Sequence, residues 1–160
     1  MYLYYIMPAF IVHGLLGYLT YGKLGFYLGI LPDLIGFSYY FLRIAFDYLS
    51  GNTDPLTKLM NQNSPREGME YMNDTDWFLY HISHSLFFWG LIYLLFKKKY
   101  IFAAVFSIIT DILLHSSTDG WSGPTFLYPF SNYTFDGVSW NSREGMFITL
   151  AIVIFYLSKK

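Results

Sequence analysis

The chain has 160 residues, of which 54% are apolar and 22% aromatic, while only 13% are charged, about half the usual share for a soluble domain. A net charge of -1, with basic residues at segment ends rather than along one stripe, argues against a nucleic-acid partner. The absence of cysteine excludes disulfides and thiolate metal sites together, so any metal would be held by His and carboxylate.

The apolar stretches predict an all-α fold, a polytopic transmembrane helix bundle of about five segments near 3–21, 24–49, 77–96, 100–118 and 144–158. Residues 1–160 then form a single integral membrane domain. The first segment has no charged residue before Lys23, so it lacks the basic start of a secretory signal and reads as a retained span. The second contains Pro32, Arg43 and Asp47. A residue before proline resists helical backbone, which predicts a break or kink at Leu31-Pro32. The third and fourth are separated only by Lys97-Lys98-Lys99, and the last ends in Ser158-Lys159-Lys160. Stretches 50–76 and 119–143 have the Asn, Ser, Gly and Pro content of loops. If every segment crosses once, Lys23, Lys97 to Lys99 and Lys159-Lys160 share one side. That side is expected to be cytoplasmic, with the N-terminus and both long loops outside.

Ionisable side chains inside a bilayer cost roughly 2.5 to 3.5 kcal/mol each, so they are kept chiefly for function. Counting from Lys23 places His13 and Asp33 at the same depth, roughly 15 Å from the turn. Counting from the 97–99 turn places His84 and Asp111 roughly 18 to 20 Å deep, with His81 and His115 one turn further out. Helical spacing puts His81 with His84, and Asp111 with His115 and Asp119, on shared faces. His13, Asp33, His84, Asp111, His115 and Asp119 are therefore candidate ligands of a divalent metal, zinc first, with manganese and iron as alternatives. His81 is a candidate proton carrier, and Arg43 and Ser85 are candidate substrate contacts. Several have a structural alternative: a backbone hydrogen bond for His13, a cap for Asp33 after Pro32, a supporting partner role for His81, a backbone hydrogen bond for Ser85, helix closure for Asp119 and an Asp47 partner for Arg43. Gly25 and Gly29 predict close helix packing.

The early His13, the turn ILPDLIGF (30–37), the element YHISHSL (80–86) and the stretch ILLHSSTDGWSGPTFLYPFSNYTFDGVSW (112–140) together resemble a known family. It is the YdjM-like, LexA-regulated group of predicted membrane-bound metal-dependent hydrolases. The family commonly has His, Asp and His where this chain has Asp111, His115 and Asp119. The resemblance implies hydrolysis of a lipid-linked ester or phosphoester through a His/Asp-bound metal and an activated water, with membrane lipid as partner and loop 120–141 as a lid. Two non-enzymatic readings of the same residues stay open. One is a proton or ion relay, and the other is a subunit of an oligomer or larger membrane assembly.

Overall fold

The computed structural model describes residues 3–54, 72–117, 123–139 and 142–158, and the regular elements among them are all helical. The first, α1 (Leu3–Gly36), doubles back on itself where Tyr21 (φ -134°, ψ 17°) and Gly22 (φ 65°, ψ -151°) leave the helical region. Glycine takes that positive φ without a Cβ clash. The two arms, 3–20 and 23–36, then run backbone against backbone. A Cβ at Gly25 would strike the Gly17 carbonyl, and one at Gly29 would strike the His13 carbonyl.

The expected break at Leu31-Pro32 is absent. The helix continues to Gly36, and the interruption falls at Phe37 (φ -99°, ψ 0°), before α2 (Ser38–Leu49). Pro32 has no N–H to return to Leu28, but its ring is fully buried, and that packing offsets one missing bond.

The apolar segment 77–96 is also two helices, α3 (Asp74–Ser83) and α4 (Leu86–Phe96), bent by 54°. Sequence supplies both ends of the break. Ser85 Oγ accepts from Phe88 N at 3.2 Å as the cap of α4, and Trp89 Nε1 donates to the buried Ser83 carbonyl at 2.6 Å. A capping box starts α3: Asn73 accepts from Asp76 N at 3.0 Å, and Asp76 accepts from Asn73 N at 2.8 Å.

After a 3-10 turn (Lys99–Ile101), α5 (Phe102–Leu114) ends at His115, whose backbone is extended (φ -110°, ψ 139°). The single helical face predicted for Asp111, His115 and Asp119 therefore stops at His115. Asp119 lies outside the described residues. The last helix is α6 (Arg143–Leu157).

Helix α1 packs chiefly against α5 and then α3. One apolar cluster joins Phe37, Tyr40, Ile44 and Tyr80, and another joins Trp89, Ile101, Ala104 and Ile108. By length and composition, the helical run Phe10–Leu49 is long and apolar enough to cross a membrane, and the bent pair α3 and α4 makes a second such unit if counted as one span.

Backbone contact in the α1 hairpin leaves no room for a methyl group. Gly25→Ala is expected to lower stability by about 1 to 3 kcal/mol through overpacking. Gly90→Ala, where a Cβ meets nothing within 4 Å, is expected to be neutral or stabilising by about 0.5 to 1 kcal/mol. Thermal unfolding of the two variants in detergent measures the contrast.

Candidate metal centre

The hairpin brings His13 opposite Asp33, and packing of α5 and α3 against it adds Asp111 and His84. The four side chains form a closed circuit. His13 Nδ1 is 2.9 Å from Asp33 Oδ2, and Asp33 Oδ1 is 3.1 Å from His84 Nε2. His84 Nε2 is 3.6 Å from Asp111 Oδ2, and Asp111 Oδ1 is 3.2 Å from His13 Nε2. None of the four residues is more than 4% exposed. The two pairs matched by depth from the lysine turns are thus brought together.

His84 and His115 are oriented by the same device. Each occupies the residue just past a helix, α3 or α5, and each directs Nδ1 to the carbonyl four residues back. For His84 that acceptor is Tyr80 O at 2.9 Å, and for His115 it is Asp111 O at 2.8 Å. A ring that donates from Nδ1 carries its lone pair on Nε2 when neutral. Tyr80 also stacks on His84, with ring centroids 4.2 Å apart, and fixes the plane of its imidazole. His115 stands at the edge of the circuit, its Nδ1 3.9 Å from Asp111 Oδ1.

A neutral His84 would present its Nε2 lone pair to two carboxylate oxygens, an arrangement that is repulsive unless a positive charge, a metal ion or a proton, lies among them. Asp111 Oδ2 is buried and has no hydrogen bond among the described residues, which leaves it available to such a cation. Ligand atoms of His13, Asp33 and Asp111 all lie within 4.8 Å of one another. Tetrahedral ligands at the usual 2.0 to 2.1 Å from an ion are about 3.3 to 3.4 Å apart. The circuit's distances bracket that value, so the group can hold a divalent metal.

The remaining predicted residues lie around this centre. His81 is stacked between Trp77 (5.5 Å) and Tyr128 (5.6 Å), and its Nδ1 is 2.7 Å from Thr125 Oγ1. Ser85, besides capping α4, donates to the Tyr128 carbonyl at 2.5 Å, and Leu86 N donates to the Phe126 carbonyl at 2.9 Å. Both residues hold the 123–130 stretch against the α3–α4 break. Arg43 donates to Asp76 at 2.6 Å, an ion pair that ties α2 to the capped start of α3.

Asp76 and Asp136 have roles that residue types alone did not show. Asp136 accepts from Ser116 Oγ (2.9 Å), Ser117 N (2.7 Å) and Ser117 Oγ (2.8 Å). Gly137 N donates to the His115 carbonyl and Val138 N to the Leu113 carbonyl, each at 2.8 Å, closing the open end of α5. Asp136-Gly137 is a turn dipeptide, the one signal that marked this position.

No protein-family model, curated protein or solved structure matches the chain.

Hydrogen bonds from Ser117 N, then from the Ser117 and Ser116 hydroxyls, hold the Asp136 carboxyl below its usual range. A lowered folded-state pKa stabilises above the unfolded value and is lost as pH falls through the folded one. The loop anchor is therefore expected to be constant from neutral pH down to about 4 and to fail only in stronger acid. Asp136→Asn should expose the chain near His115 to protease at neutral pH, where the unmodified protein is cut there only on acidification. Arg43→Gln leaves buried Asp76 without its cation, and an unfolding loss of up to about 3 kcal/mol is expected with metal content unchanged.

Proposed function

We propose that this chain is a membrane-embedded, metal-dependent hydrolase acting on a lipid-linked ester or phosphoester. The observation that carries the reading is the buried circuit of two carboxylates and two imidazoles drawn from three helices. His13, Asp33, Asp111 and His84 would hold the ion, with His115 at its edge. Zinc is favoured by the mixed nitrogen and oxygen donors, with manganese and iron as alternatives. A bound divalent ion supplies Lewis-acid activation of water and of the scissile group.

The chain's own residues do the rest. Asp33 Oδ2 accepts from His13 Nδ1, a carboxylate–histidine pairing that fixes which ring nitrogen faces inward. The carbonyls of Tyr80 and Asp111 do the same for His84 and His115. His81, half-buried beneath the loop, is the proposed proton carrier to the leaving group.

Membrane embedding is supported by an inside-out distribution of side chains. His13, Asp33, His84, Ser107 and Asp111 are buried, whereas Leu42, Phe46, Leu94, Leu95 and Phe147 are each at least 66% exposed. Exposed apolar surface on this scale calls for lipid or protein cover. Lysine turns on one side, with five crossings, remain the proposed topology, which puts the loops and the centre toward the outer leaflet.

A proton relay is the rival, favoured by one observation: His13 faces a carboxylate through each nitrogen, an arrangement that a protonated ring also satisfies. Elemental analysis of protein purified without chelator separates the two. The hydrolase reading expects about one divalent ion per chain, lost in His13→Ala and Asp111→Asn and kept in Arg43→Gln. Hydrolysis of a lipid phosphoester should vanish with the metal and return on adding it back. Protein that contains no metal and takes none up would leave the relay.

A further inference from the structure

A second recess lies away from the carboxylate circuit, beside the lysine-rich turn. Leu28, Leu31 and Ile35 of α1 face Ile92 and Phe96 of α4 across a groove of about 370 Å³, and Lys98 lines its end. Lys97 takes the left-handed conformation (φ 52°) that terminates α4, and Lys98 is extended. Lys97, Lys98 and Lys99 are all exposed, and none forms an ion pair among the described residues.

An apolar wall alone does not select a lipid, because acyl tails are as apolar as leucine. A groove lined by Lys98, with exposed Lys97 and Lys99 beside it in the chain, does, because it matches a molecule that joins a long apolar chain to an anionic head. Basic recesses between membrane helices on the lysine-rich side take up anionic headgroups by this charge complementarity. Helix α4 delivers both parts in one element, its apolar face forming the wall and its C-terminus presenting the lysines.

We propose that this groove holds one acyl chain of an anionic phospholipid whose phosphate is bound by the Lys97–Lys99 turn. The site is separate from the metal centre and rests only on the reading that the chain lies in a bilayer. It serves as an anchor that fixes the depth and tilt of α4, and through the α3–α4 break it steadies His84.

The test offers the detergent-purified protein equal amounts of phosphatidylglycerol and phosphatidylcholine and measures retained lipid by mass spectrometry. The expected result is an excess of phosphatidylglycerol of about 10-fold or more, since each lysine near a headgroup is worth roughly 5-fold. The Lys97→Gln, Lys98→Gln, Lys99→Gln triple variant should fall to near parity. Leu28→Trp, which fills the groove and leaves the lysines intact, should reduce retention of the anionic lipid, and millimolar inorganic phosphate should not displace it. Parity in the unmodified protein, full preference in the triple variant, an indifferent Leu28→Trp or displacement by phosphate overturns the proposal. Extraction of the chain from membranes by alkaline carbonate would instead overturn the bilayer reading. Retention in the membrane together with lipid parity would overturn the lipid site alone.

Discussion

Two carboxylates, Asp33 and Asp111, share the interior of a helical bundle with the same two imidazoles, and the surrounding structure answers to the cost of keeping them there. A buried carboxylate loses its hydration, and two side by side add mutual repulsion. A compensating positive charge is required on the spot, from a proton on an imidazole or from a metal ion. That requirement explains why polar atoms from three distant stretches meet within hydrogen-bond distance, while the outer surfaces of the helices are left to leucine and phenylalanine.

Helix ends are the means by which the circuit is built. Had the segment 77–96 continued as one helix, the Tyr80 carbonyl would be a routine link in the backbone ladder. At the break it accepts both the His84 amide, at 3.0 Å, and the His84 ring, at 2.9 Å. The end of α5 offers the Asp111 carbonyl to His115 in the same way. The glycine faces of the α1 hairpin act at longer range. Only arms in backbone contact bring a short aspartate within 2.9 Å of a histidine across the turn. Exposed residues would not need such closeness, since water would bridge them.

Depth counting from the lysine turns placed His13 with Asp33 and His84 with Asp111 because each residue of helix adds about 1.5 Å of rise, and the Gly25 and Gly29 spacing pointed to close helix packing of the kind the α1 arms show. Hydropathy could not reveal where a helix ends inside an apolar run. Phe37 carries no break signal of its own, and Ser85 acts as a cap only where the preceding helix has ended. The proline rule pointed to Leu31-Pro32, but burial of the ring outweighs one lost hydrogen bond at that position. Asp76 was hidden because it closes a polar stretch that reads as loop, and its partner Arg43 lies 33 residues earlier, on α2. Asp136 was hidden because a carboxylate in a loop has no period to betray it.

Charge balance weighs between the two ways of satisfying the circuit. The Nδ1–H of His84 is directed to Tyr80 O, so a neutral ring would carry its lone pair on Nε2. If His13 is neutral as well, donating from Nδ1 to Asp33, the interior carries two negative charges and no positive one. One divalent ion cancels them and gives the inward nitrogens and Asp111 Oδ2 a common partner. Protons achieve the same balance by charging both imidazoles, with His84 donating across 3.1 Å to Asp33 Oδ1 and His13 across 3.2 Å to Asp111 Oδ1, which leaves Asp111 Oδ2 at 3.6 Å from His84 Nε2. The longest of those distances is beyond a good hydrogen bond, whereas it is ordinary for two ligands of one ion. A divalent ion is thus the arrangement that also engages Asp111 Oδ2, a buried oxygen with no hydrogen bond among the described residues.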